Sequence, residues 1–175
     1  MTIKELIVNI RVKNIRGEVD QAVTAIHFDS RKVVPGSVFV AVKGRATDGH
    51  MFIDKAVDRG AVCVITEEKV DHISEHVCVL TVENSAEVLA KIAGAFYDYP
   101  SRNLTMVGVT GTNGKTTVAT LLFRLFTELG YKCGLLSTIE NRIGDEVEPT
   151  GYTTPDAVAV QETLARMIEA GCTHA

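Results

Sequence analysis

The chain has 175 residues, 46% hydrophobic and 23% charged, the composition of a globular protein of one or two domains. A net charge of −4 and a pI near 5.7 leave no basic face for nucleic acid or an anionic membrane. The first twenty residues, MTIKELIVNIRVKNIRGEVD, break up their apolar positions with charge, and no later run reaches the ~18 apolar residues of a membrane span. A cytoplasmic protein is expected.

TIKELIVNI places Ile3, Leu6, Ile7 and Ile10 at helical spacing and predicts a short opening helix. VTAIHFDSR and, after the turn VVPGS, SVFVAV read as extended segments. TDGHMFIDKAVDRGA reads as an amphipathic helix ended by Gly60. Strands VCVIT and VCVLTV follow, then the helix NSAEVLAKIAGAFYDYP, capped by Asn84 or Ser85 and stopped before Pro100. These hundred residues form one domain-sized α/β set, and YPSRN reads as a linker.

The pattern then restarts. LTMVGVT predicts a strand, KTTVATLLFRLFTELG a helix and KCGLLST a second strand, an order that implies parallel pairing with a right-handed crossover. PDAVAVQETLARMIEAG predicts a last helix closed by Gly171. Two strands after Leu104 are few for an open nucleotide-binding sheet, which has about five or more, so the chain is expected to be part of a longer protein.

Four cysteines (Cys63, Cys78, Cys133, Cys172) stand without a CxxC pair and read as small buried hydrophobes. His72 and His76, in HISEH, have metal-ligand spacing but no third ligand nearby, and the stretch reads as a polar surface segment.

The chemistry concentrates between the strand LTMVGVT and its helix. Gly111, Thr112, Asn113, Gly114, Lys115, Thr116 and Thr117 have the logic of a phosphate-binding loop. Glycines let backbone N–H groups converge on phosphate oxygens, Lys115 reaches the β- and γ-phosphates, and the Thr116 hydroxyl suits Mg²⁺. The pattern GxxxxGK[ST] would place a glycine at position 109, where this chain has Val109; its glycines stand at 108, 111 and 114. By itself the loop leaves kinase, ATPase, GTPase and ligase open, although no NKxD-type base-reading motif occurs.

TGTNGKTT, preceded by FDSRKVVPGSVFVAVKGRATDGHMFIDKAVDRGA and followed by STIENRIG and GYTTPDAVAVQETLARMIEAG, resembles the Mur ligase family. The DSR, PG, DGH-F and A-x-x-x-GA elements stand in order, and the resemblance covers residues 24–175. Among its members, the TTP segment is similar to that of the enzymes adding the third residue of the peptidoglycan stem, rather than those adding the final dipeptide.

The resemblance implies an α/β fold: a uridine-nucleotide-binding domain over residues 1–100, and over 104–175 the first part of a P-loop, parallel-sheet ATPase domain. It implies that Phe28 and Ser30 lie in the uridine-contacting segment. Arg45, Ala46 and Thr47 would form a loop closing on the same ligand, and Thr153 and Thr154 would touch the muramoyl-dipeptide. Tyr152 stands where some members have asparagine. Lys115 is the implied catalytic residue, Gly111–Thr117 the ATP loop, and Thr116 the Mg²⁺ ligand. The implied reaction is ATP-dependent amide ligation through an acyl phosphate, joining a diamino acid (meso-diaminopimelate or lysine) to UDP-MurNAc-L-Ala-D-Glu in a cytoplasmic monomer.

Each mark has a plainer reading when taken singly. Asp29-Ser30-Arg31 is compatible with an ordinary turn, Asp48 with a helix N-cap, and Thr153 with a structural role before Pro155. Their joint order along the chain favours the family. The alternatives are a UDP-sugar-binding module without catalysis, the related D-Ala-D-Ala-adding ligase, and an unrelated P-loop kinase with an accessory domain.

Overall fold

The computed structural model describes residues 1–44, 47–149 and 155–175. The chain divides into two compact units, Met1–Phe96 and Tyr97–Ala175.

The first unit opens with α1 (Ile3–Leu6), a single turn held by a capping box. Thr2 Oγ1 accepts the Glu5 N–H at 3.3 Å, and the Glu5 carboxylate accepts the Thr2 N–H at 2.7 Å. Then come β1 (Val12–Arg16), β2 (Ala25–His27), β3 (Ser37–Val40), a 3₁₀ turn (Gly49–Phe52), α2 (Ile53–Asp58), β4 (Ala61–Thr66), β5 (Cys78–Val82) and α3 (Ser85–Phe96). The strands form one sheet in the order β1-β5-β4-β3-β2, parallel throughout except for the edge strand β1.

All four residues of β3 are buried, as expected of a strand covered on both faces. Phe39, Ala41, Val64 and Val79 pack with Ile53 and Ala56 of α2 on one face. By alternation Val38 and Val40 point to the other, where α3 packs against β3 and α1. Asn84, not Ser85, caps α3, its Oδ1 accepting the Glu87 N–H at 3.0 Å. The four cysteines are free and buried, and Cys63 and Cys78 stand opposite each other in the β4–β5 register.

The second unit holds a 3₁₀ turn (Pro100–Asn103) where a linker was read, then α4 (Lys115–Glu128), β6 (Gly134–Leu136), β7 (Glu140–Ile143), β8 (Glu146–Pro149) and α5 (Ala157–Glu169). Two expectations fail here. LTMVGVT is not a strand. Thr105 and Cys133 each form an isolated parallel bridge with His174, and Val107 N–H reaches the Ala175 carbonyl at 2.9 Å. Gly108–Thr110 has no ladder partner among the described residues, and without one an extended segment stays irregular.

The second difference is the hairpin β7–β8, closed by the two-residue loop Gly144-Asp145, which makes the sheet β6-β7-β8 antiparallel. The parallel pairing expected of this unit is confined to the two bridges at His174. Helix α5 is capped by Asp156, whose Oδ1 accepts the Ala159 N–H at 2.9 Å, and it buries Leu164 and Met167 against Leu104, Ile143 and Cys172. Helix α4, by contrast, buries no residue fully.

Candidate functional site

The glycine loop runs straight into α4. Gly114 is the N-cap, at φ 77°, a left-handed conformation that other residues adopt reluctantly. It supplies no side-chain cap, and the first turn of α4 carries no acidic residue. The N-terminal amides, with the positive end of the helix dipole, therefore have no competing anion within the helix.

A Cβ built on Gly108 or Gly114 would meet nothing within 4 Å, and one on Gly111 only the Asn113 carbonyl at 3.7 Å. Neighbouring protein does not demand glycine at 108, which leaves the loop open to a group approaching from outside. Lys115 Nζ lies over the loop, donating to the Gly111 carbonyl at 2.7 Å and the Thr112 carbonyl at 3.4 Å. Thr112, Asn113 and Thr117 are exposed along the same turn.

Thr116 Oγ1 stands 3.4 Å from Thr138 Oγ1, just past the end of β6. Thr138 was not singled out from the sequence. Its signal is a hydroxyl following the strand that succeeds the loop's helix, where a chain returning beside a P-loop presents side chains to the same site. Two hydroxyls suit an ion that keeps most of its own waters and phosphate ligands, as Mg²⁺ does. Among the described residues no cluster of three His, Cys, Asp or Glu side chains suits a metal, and His72 is bonded instead to Asp54 at 2.9 Å.

Beside the loop is a cavity of about 320 Å³, walled by Met106–Val109, by Leu122, Phe123 and Phe126 of α4, and by Gly134–Thr138. Its walls are mainly apolar, which suits hydrocarbon rather than polyphosphate. Lys115, Thr116 and Thr138 line its polar side, so the cavity adjoins the glycine loop.

In the first unit the parallel strands β2, β3 and β4 bring their following loops to one edge of the sheet, the carboxyl edge, where open α/β sheets bind ligands. Phe28 follows β2 and is 38% exposed. Asp29 and Arg31 form the turn: Asp29 accepts the Arg31 N–H at 3.0 Å and the guanidinium at 2.8 Å. That guanidinium, with the backbone bond after it, holds the Asp29 carboxyl at about 2 against the opposing effect of burial. Between them Ser30 is buried.

Thr47 is exposed on the loop after β3. Arg45, Ala46, Thr153 and Thr154, the other residues assigned to substrate, lie outside the described residues, as does Tyr152. The DGH motif has a structural part. Asp48 caps the 3₁₀ turn, accepting the His50 N–H at 3.0 Å, while Gly49 donates to the Val42 carbonyl at 2.9 Å.

A mostly parallel sheet with polar loops at its carboxyl edge, followed by a glycine loop on a helix N-terminus, defines an α/β protein of the P-loop kind. The chain belongs to the Mur ligase family: residues 22–97 match "Mur ligase family, catalytic domain" and residues 109–175 match "Mur ligase middle domain".

It is 53% identical over 175 residues to the UDP-N-acetylmuramoyl-L-alanyl-D-glutamate–2,6-diaminopimelate ligase of Cytophaga hutchinsonii, covering 99% of this chain and 36% of that protein. Identity to the ligase of the same name from Phocaeicola vulgatus is 45% over 175 residues, covering 100% of this chain and 36% of that protein. The chain thus spans about a third of the length of these relatives. A solved ligase of that name superposes with a TM-score of 0.78 at 24% identity, over 99% of this chain and 34% of the other, a likeness of fold. MurF ligase from Thermotoga maritima, solved with ADP, gives a TM-score of 0.56 at 30% identity, over 85% of this chain and 30% of that one.

Proposed function

We propose that this chain is the N-terminal part of an ATP-dependent ligase of peptidoglycan precursor synthesis, UDP-N-acetylmuramoyl-L-alanyl-D-glutamate ligase, which adds a diamino acid as the third stem residue. Residues 1–100 are the uridine-nucleotide-sugar-binding domain and residues 104–175 an incomplete ATP-binding domain. The observation that carries this reading is the 53% identity, over nearly the whole chain, to a relative bearing that name. The curated relatives favour it over the D-Ala-D-Ala-adding ligase.

The side chains support a division of labour. Ser30 offers a hydroxyl on a buried side chain, and Phe28 offers an exposed aromatic face, a pair suited to a nucleoside. Thr47, with Arg45 and Ala46, closes on the same ligand, and Thr153 and Thr154 meet its peptide end.

The loop amides of Gly111–Thr117 and the Lys115 ammonium balance phosphate charge, and the Thr116 hydroxyl, with Thr138 beside it, holds Mg²⁺. Bound Mg-ATP supplies the phosphoryl group that turns a substrate carboxylate into an acyl phosphate open to attack by an amine. Lys115 acts by position and charge, not as a proton carrier. The diamino acid, meso-diaminopimelate or lysine, is selected outside this chain, which binds as a monomer and does not catalyse ligation by itself.

Calorimetric titration with UDP-MurNAc-L-Ala-D-Glu, comparing the wild type with Ser30→Ala, tests the reading. The expected result is binding that weakens about tenfold in the variant, the loss of one buried hydrogen bond. Equal affinity in the two proteins would remove Ser30 from the site, and no binding by a folded chain would count against the substrate assignment for residues 1–100.

A further inference from the structure

The DGH motif carries more than a helix cap. The His50 side chain is only 9% exposed, and both ring nitrogens are engaged. Nδ1 lies 2.6 Å from Asp48 Oδ1, and Nε2 lies 3.1 Å from the backbone nitrogen of Glu67, the residue after β4. A backbone N–H can only donate, so Nε2 accepts, and the ring proton must sit on Nδ1 and point at the Asp48 carboxylate. The neutral Nδ1–H tautomer is fixed by its partners.

Both ends of this bridge are tied down. On one side, Lys43 and Asp48 pair across the neck of the loop, Gly44 N–H donates to the Thr47 carbonyl at 3.0 Å, and Gly49 N–H donates to Val42. On the other side, Glu67 Oε1 accepts the Ser85 N–H at 2.8 Å and its hydroxyl at 2.9 Å, anchoring Glu67 to the start of α3. His50 is thus a largely buried side chain linking the loop neck that carries Thr47 to the β4–α3 framework, beside the exposed Lys43–Glu68 ion pair.

We propose that His50 is a positioning residue: as the neutral Nδ1–H tautomer it holds in place the neck formed by Lys43, Gly44, Thr47 and Asp48, and through it sets the affinity of the nucleotide-sugar site. The second clause rests on the reading above that Thr47 faces that ligand.

A second ring proton would turn Nε2 from acceptor to donor, facing the Glu67 N–H donor, and the bridge would open. The charged groups around the ring are Asp48, Glu67, Lys43 and Glu68, with Lys43 Nζ paired to Glu68 at 2.8 Å. The acids can accommodate a cation, but none restores an acceptor at Nε2.

The test is an NMR titration of isotope-labelled chain from about pH 8 to about pH 5. It follows the His50 ring, with His27, His72, His76 and His174 tracked separately, alongside the amides of Glu67 and Thr47. Calorimetry with UDP-MurNAc-L-Ala-D-Glu is run on both sides of the His50 midpoint for wild type, His50→Gln and His50→Ala. Glutamine keeps an acceptor oxygen near the Nε2 position but does not titrate.

The expected result is that the Glu67 and Thr47 amides shift with the His50 midpoint. Wild-type affinity falls about tenfold across it, the glutamine variant shows no such fall, and the alanine variant is weak throughout. Amides that ignore the His50 midpoint overturn the lock, and a glutamine variant as pH-dependent as the wild type overturns the role in affinity. Amides that follow His50 while no protein binds ligand at any pH uphold the lock and refute the nucleotide-sugar reading.

Discussion

The two units use glycine in opposite ways. In the first, a Cβ on Gly17 would stand 3.0 Å from Cys78 Cα, on Gly36 2.7 Å from Thr24 Oγ1, on Gly49 2.7 Å from Val42 N, and on Gly60 2.9 Å from Pro35 Cα. These glycines let neighbouring segments close on one another. In the second unit, Gly108, Gly114, Gly130 and Gly171 face open space, whereas a Cβ on Gly134 would run into Met167 of α5 and one on Gly144 would stand 3.0 Å from Lys132 Cε. The same residue type serves close packing in one region and, in the other, leaves open space at the glycine loop and at the helix ends.

The comparison can be broken by substitution, beginning with Gly60→Ala. Its φ of 92° and the nearby Pro35 backbone both oppose a side chain, so a loss of about 3 kcal/mol is expected in denaturant unfolding. A loss below ~1 kcal/mol would show that the Pro35 turn gives way freely. Glu67→Ala comes next. It strips the Ser85 N–H and hydroxyl of their acceptor in a residue 1% exposed, for about 2 kcal/mol by thermal unfolding.

Asp29→Asn is milder, about 0.5 kcal/mol near neutrality, because the Arg31 side chain is 85% exposed and screened. The Asp29 carboxyl is depressed to about 2 when folded, so its contribution is present above the ordinary carboxylate range and fades as pH falls toward 2. The difference between the two proteins should shrink over that interval, and a difference that grows on acidification would contradict the assigned pairing. Gly108→Ala should leave stability within about 0.5 kcal/mol of wild type yet weaken nucleotide binding. A destabilised Gly108→Ala protein would show the loop glycines to be structural after all.

Most of the first unit was readable because its strands and helices pair with elements inside residues 1–96; the edge strand β1 was missed because its mostly exposed residues VKNIR carry no apolar alternation. The position of the glycine loop at the N-terminus of α4 was equally legible, because Gly114 and the helical pattern after it are local signals. MVGVT misled because its β-forming residues report a propensity to pair and not the presence of a partner. The hairpin after Glu140 had its signal in the Gly144-Asp145 pair between extended segments, and it passed unread because charge breaks up the apolar alternation there. No local pattern reveals that His50 meets the Glu67 amide, 17 residues on, or that Thr116 meets Thr138, 22 residues on. Such contacts are made by sheet register, which sequence fixes only through the whole fold.

Helix α4 follows the glycine loop and yet buries none of its residues, with Val118, Leu121 and Leu125 each 45–58% exposed. Its amide protons are therefore shielded by little more than the helix's own hydrogen bonds, whereas those of β4 lie under both faces of a filled sheet. In heavy water α4 should exchange through brief local openings, and β4 only when the first unit unfolds as a whole. A ligand that grips the helix N-terminus would slow exchange along α4 by mass action, while leaving β4 on its own clock.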